Sequence, residues 1–262
     1  MSPRRSIVLA ALTALATTAP MAVVATAAAP IAAPMIQAPM HAVGGSGSSV
    51  PFFISHGGGV RHANATSTNW AGYAATGSTY TSVSTTFTQP KVTCTSGDQY
   101  SAFWVGLDGY SSDSVEQTGT EADCAGRTAE YSAWIEMYPA DPVTYSNTVK
   151  AGDVITETVT EASNKYTLTL VDSTEGWTKT TTKTESGLAR SSAEVIAEAP
   201  YSNEVLPLAN FGKVTFNNNT VDGSSLSSLS PAGINMATSS GTLEATTSAF
   251  SGNSFSITWN SK

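Results

Sequence analysis

Histidine is all but missing from this chain. Of 262 residues only His41, His56 and His62 are histidine, and none follows. A Ser-His-Asp triad, a Cys-His pair and a His-ligated zinc site are thereby excluded from residues 63–262. Basic residues are scarce as well. Residues 67–262 carry 9 Lys+Arg against all 20 Asp+Glu, a net charge of −11 near neutrality. That sign disfavours nucleic acid and anionic membranes as partners. With every carboxylate protonated only those basic residues stay charged, so acid creates little self-repulsion. No P-loop is present, and acidic loops such as "DSTEG" lack calcium-ligand spacing, so neither metal nor cofactor is expected. No stretch of useful length shows a 3.6-residue apolar period, and no repeat of fixed length recurs.

The one long apolar run is at the N-terminus. Arg4 and Arg5 precede it and Ala25-Thr26-Ala27 closes it, the pattern of a secretory signal over residues 1–27. Residues 28–66 are rich in Ala, Pro, Gly and Ser and read as a largely disordered pro-segment or linker. Residues 67–262 suffice for one well-buried domain, which is expected to be secreted, extracellular and monomeric. Cys94 and Cys124 are the only cysteines. In an oxidising compartment they form a disulfide, contributing about 3.5 kcal/mol in the chain-entropy model.

Short Ser-, Thr-, Val- and aromatic-rich segments bounded by Gly, Asn and Asp predict strands at 82–90, 101–109, 129–139, 153–162, 165–172, 177–184, 193–199, 212–218 and 254–260. Tyr166, Leu168 and Leu170 alternate with Thr167 and Thr169, and Phe255, Ile257 and Trp259 with Ser256 and Thr258. Glu157 interrupts a third pattern, between Ile155 and Val159. The fold class is all-β, an antiparallel β-sandwich. With histidine gone, the acid–base groups of any enzyme here are carboxylates, aided by amides, tyrosines or lysines. "SSAEVIAEAP" (191–200) sets Glu194, Ile196 and Glu198 on one strand face, either as a solvated edge or as chemistry.

The densest run of unusual residues is 101–140. Trp104 and Asp108 can share a face, as can Trp134, Glu136 and Tyr138. Such an aromatic–acid–aromatic stripe suits the floor of a polymer-binding cleft; the bland alternative packs the aromatics inside the sandwich and leaves Glu136 at an exposed strand end.

"NWAGY" (69–73), "WVGLDG" (104–109), "QTG" (117–119), "YSAWIEMYP" (131–139) and "AEVIAE" (193–198) together resemble, in order, the motifs of the eqolisins, glutamic peptidases active in acid. The resemblance implies a secreted bacterial member with two packed, curved, concanavalin-like sheets, one forming a cleft for polypeptide substrates. It implies a catalytic dyad of Gln117 and Glu198, with Trp104, Asp108, Trp134, Glu136 and Tyr138 around the substrate. Glu198 takes a proton from a bound water and passes it to the leaving nitrogen, while Gln117 orients the water and donates to the oxyanion. Asp108 and Glu136 would become neutral donors in acid. Glu194 is expected in a solvated or structural role. Glu116, an extra acid before Gln117, is expected on the opposite face.

Two other readings share these residues. A jelly-roll glycoside hydrolase would use Glu136 and Glu198 as its carboxylate pair and have no need of Gln117. A non-catalytic lectin-like sandwich would stack sugars on Trp104 and Trp134.

Overall fold

The structure, a computed structural model, describes residues 64–202 and 204–261. The expected signal and nearly all of the expected linker lie outside the described residues. Strands run in the order β1 (Ala65–Ser67), β2 (Trp70–Thr76), β3 (Ser82–Thr88), β4 (Ala102–Leu107), β5 (Val115–Ala125) and β6 (Thr128–Tyr138). Then come β7 (Val143–Tyr145), β8 (Val154–Ala162), β9 (Lys165–Asp172), β10 (Trp177–Thr184) and β11 (Ser192–Glu198). The last are β12 (Lys213–Val221), β13 (Ser224–Ser225), β14 (Ala232–Ala237), β15 (Leu243–Thr247) and β16 (Phe255–Trp259). A 3₁₀ turn at Leu226–Leu229 is the only helical element among the described residues.

Pairing follows the path β10-β9-β8-β3-β12-β16-β15-β14-β2-β11-β4-β5-β6-β7, with β13 beside β12. All of these pairs are antiparallel; β1 alone pairs in parallel, with β14. The path doubles back on itself, so that β4, β5 and β11 pack across from β3, β8 and β9. Two antiparallel layers face each other, a β-sandwich as expected.

Alternation builds the core between them. Ile155 and Val159 of β8, Leu168 and Leu170 of β9, and Val105 and Leu107 of β4 all point inward. Phe87 meets Phe216 edge-on at 5.2 Å and Phe103 meets Phe211 at 5.3 Å. Each such ring contributes about 1.5–3 kcal/mol of transfer free energy. Cys94 and Cys124 are joined by a disulfide. Glu157 occupies its inward position fully buried, and neither carboxyl oxygen has a hydrogen-bond partner. Burial holds its pKa well above the usual carboxylate range.

Candidate active site

Beneath the core layer, β2, β11, β4, β5 and β6 present a second face. Directly opposed residues of antiparallel strands share a face, so the register assigns it. One row runs Ala74, Glu194, Gly106, Gln117, Glu136; the next Gly72, Ile196, Trp104, Gly119, Trp134; the next Trp70, Glu198, Ala102, Glu121, Ser132. Trp70, Trp104, Trp134, Val115 and Ile196 pack there as an apolar cluster separate from the sandwich core. The indoles of Trp70 and Trp104 meet edge-on at 4.9 Å. Of the bland alternative one half fails, because Glu136 is fully buried and not at an exposed strand end; the tryptophans are buried as well, but in a cluster separate from the sandwich core.

Small residues make room for this cluster. A Cβ on Gly119 would lie 2.4 Å from the Phe103 carbonyl oxygen and 2.6 Å from Trp104 Cβ. One on Gly106 would lie 2.9 Å from Trp104 Cζ3 and 3.3 Å from Gln117 Cβ. A side chain at either position would displace Trp104.

Gln117 Nε2 donates to Glu136 Oε2 at 2.6 Å. Glu198 is gripped at both oxygens: Asn69 Nδ2 donates to Oε1 at 3.0 Å and Trp104 Nε1 to Oε2 at 2.8 Å. The Trp70 indole N–H lies near the same carboxyl but outside hydrogen-bond geometry. Burial raises the Glu198 pKa well above the carboxylate range and the Glu136 charge adds to it, against the pull of these donors. Glu198 lies two strands across and four residues along from Gln117, with the Trp104 row between. Glu136, to which Gln117 donates, is near enough for its charge to act on Glu198.

Glu194 has different company. Its pKa is raised first by burial and then by Asp108 and Glu116, without Glu136 among the causes. It is fully buried, so of the solvated or structural role expected for it only the structural one remains; the Ser192 hydroxyl and the Tyr110 N–H lie near its carboxyl but outside hydrogen-bond geometry. Glu116 projects to the core-facing side, opposed to Met137 and Leu107, and burial followed by the Asp108 charge pushes its pKa up to about 8.

The structure does not bring Asp108 to the cleft floor. Its backbone is left-handed, φ 68°. Its carboxylate accepts from the Arg190 and Ser191 backbone N–H groups and from the Ser112 and Ser191 hydroxyls. That ties the turn after β4 to the segment entering β11. Tyr138 remains half-buried at the end of β6, packed against the tryptophan cluster. Among the described residues no group of three or more His, Cys, Asp or Glu could hold a metal ion.

The sequence pattern of the Peptidase A4 family matches residues 68–259. The chain belongs to the Peptidase A4 family. Within it, aspergillopepsin-2 of Aspergillus niger is 34% identical over 179 residues, 58% of this chain and 63% of that protein. The chain therefore spans less than two thirds of that relative's length. Scytalido-glutamic peptidase, solved with a peptide-based transition-state analogue, aligns with a TM-score of 0.65 at 28% identity, covering 74% of this chain and 98% of that one. Aspergilloglutamic peptidase from Aspergillus niger aligns at 0.56 with 30% identity, covering 62% and 99%.

Three members of this A4 face escaped the sequence reading. Asn69 and Trp70 stand in the quoted "NWAGY" motif, but nothing local marks them as partners of a glutamate 128 or more residues away. Glu121, in the same row as Glu198, bonds to the Ser132 hydroxyl at 2.6 Å, and burial raises its pKa to about 7. Strand pairing, invisible in one sequence, is what aligns it.

Proposed function

We propose that the chain is a secreted endopeptidase that hydrolyses peptide bonds in acid with Gln117 and Glu198. What carries the reading is one arrangement in a Peptidase A4 chain: a buried amide and a doubly gripped, buried carboxyl on the same sheet face, lined by tryptophans. The substrate lies across β11, β4, β5 and β6, against Trp104, Trp134, Glu136 and Tyr138. Residues 1–27 are removed on export and most of 28–66 precedes the catalytic domain as a pro-segment; that domain, read from composition as 67–262, takes in β1 from Ala65.

In the reacting state Glu198 is ionised and removes a proton from a water held over Trp104. The water oxygen bonds to the scissile carbonyl carbon, and the carbonyl electrons move to oxygen. Gln117 has two N–H donors. The amide donates to Glu136 in this structure and, in the transition state, to the oxyanion; as an amide it keeps its donor at every working pH. Collapse re-forms the carbonyl and breaks the C–N bond, while Glu198 returns its proton to the leaving nitrogen. A peptide bond and water become an acid and an amine.

Burial makes Glu198 a stronger base than an exposed glutamate but leaves less of it ionised in acid. The acid range therefore arises elsewhere, from carboxyls such as Glu116, Glu157 and Glu194 that the fold holds neutral. The test is hydrolysis of denatured protein at acid pH: Gln117→Ala and Glu198→Gln should each lose at least about a hundredfold in kcat. Full activity in Gln117→Ala, or cleavage of polysaccharide alone, would sink the reading in favour of a Glu136–Glu198 glycosidase.

A further inference from the structure

Glu198 has a neighbour whose orientation is decided by valence alone. The Ser67 hydroxyl accepts from the backbone N–H of Asn69 at 3.3 Å and of Trp70 at 3.1 Å. A serine oxygen has two acceptor sites and one proton, so both acceptor sites are filled. Its proton is left to donate, and Asn69 Oδ1 receives it at 3.2 Å. With the amide oxygen thus committed, the amide nitrogen must point the other way, and Nδ2 donates to Glu198 Oε1.

The backbone reinforces the pairing. The carbonyl of Asn69 accepts from the N–H of Ala199, the residue after Glu198, at 2.9 Å. Asn69 is fully buried, so no solvent competes for either contact. Ser67 itself ends β1, whose pairing with β14 is reinforced where Asn64 Nδ2 donates to Asn235 Oδ1 at 3.1 Å and to the Thr247 carbonyl at 3.0 Å.

We infer that Asn69 is a positioning residue for Glu198, oriented by Ser67, so that the N-terminal strand β1 sets the direction and proton affinity of the catalytic carboxylate. The inference rests on Glu198 being the proton carrier proposed above. An uncharged donor favours the ionised carboxylate without adding a charge of its own, which a lysine in that place could not do. Titratable groups facing Glu198 from packed strands are Glu136 on β6 and Glu121 on β5; β4 and β2 present Ala102, Trp104 and Trp70.

The experiment follows kcat/KM against pH for the full mature chain and for Asn69→Ala, Asn69→Asp, Ser67→Ala and Glu198→Gln, each with a thermal melt. Loss of the Oε1 donor should move the ascending limb of Asn69→Ala up by about one pH unit, a tenfold loss at fixed pH on that limb. Ser67→Ala should move it in the same direction by less. Asn69→Asp keeps the shape if the alanine variant does not fold; it sets a second acid against Glu198 and should raise the limb further. Limbs unmoved in the folded variants, with only the melting temperature lowered, would make Asn69 a packing residue and overturn the inference. Activity surviving in Glu198→Gln would remove the parent reading and this one together. An inactive Glu198→Gln beside an unmoved Asn69→Ala limb would sink this one alone.

Discussion

Raising the pH should destabilise this protein, and Glu116 allows the size of the effect to be worked out. In the unfolded chain its carboxyl has the ordinary value of 4.5, while in the fold it is pushed up to about 8. Below pH 4.5 both states hold the proton and folding is unaffected. Above it the unfolded state releases the proton and the folded state does not, so stability falls by about 1.4 kcal/mol per pH unit until the folded carboxyl ionises near 8. Across that window Glu116 alone removes about 4–5 kcal/mol. Glu157 and Glu194 are shifted in the same direction by burial and steepen the slope. Against a total domain stability of about 5–15 kcal/mol, a loss of that size is a large share of the whole. Denaturant titrations monitored by tryptophan fluorescence at pH values from about 3.5 to 8 test this. Glu116→Gln should match the parent within about 1 kcal/mol in acid and lose about 1.4 kcal/mol less per pH unit above pH 5. Parent stability that is flat or rising from pH 5 to about 7.5, or an unchanged slope in Glu116→Gln, would refute the linkage.

Glu194→Gln should keep hydrolysis within a few-fold while flattening the same pH–stability curve; an inactive, folded variant would transfer the catalytic role from Glu198 to Glu194. Glu157→Gln should stabilise the domain at pH 7 and leave melts at pH 3.5 nearly unchanged, by differential scanning calorimetry. Replacing Cys94 and Cys124 together by serine should cost about 3–4 kcal/mol of stability, read from denaturant midpoints. Gly119→Ala has no space for its methyl group and should cost about 1–3 kcal/mol together with most of the hydrolytic rate, because Trp104 and Trp134 must shift.

Strands written in alternating, β-branched or aromatic residues were legible in the sequence. β9 and β10 fall on 165–172 and 177–184 as read, and most other expected strands differ at their ends by one or two residues. β12 is longer, because a register shift between Asn217 and Thr220 lets pairing run on to Val221. β5 gave no signal at all. "VEQTGTEADCA" is polar, yet ten of its eleven residues are buried: β8 and β9 pack on one face and the tryptophan cluster flanks the other. β14 and β15 are short and small-sided, and β1 is only three residues long. It starts at Ala65, ahead of the residue-67 boundary read from composition.

The candidate site divides the same way. Motif order named Gln117, Glu198, Trp104, Trp134, Glu136 and Tyr138, and register sets these on one face. Asp108 was placed with them by spacing and by motif order alike, but a left-handed backbone turns it away to bind backbone N–H groups. Asn69 went unnoticed because its role depends on a hydrogen bond spanning 129 residues of chain.

Affinity for a peptide carrying a tetrahedral phosphinate in place of the scissile carbonyl is the measurement closest to the central claim. Calorimetry on the parent chain, Gln117→Ala and Glu198→Gln at acid pH should show Gln117→Ala binding that analogue about a hundredfold or more weakly, with an uncleaved substrate peptide bound within a few-fold of the parent. Equal affinity of parent and Gln117→Ala for the analogue would contradict the claim that this amide stabilises the oxyanion formed when the water deprotonated by Glu198 adds to the carbonyl.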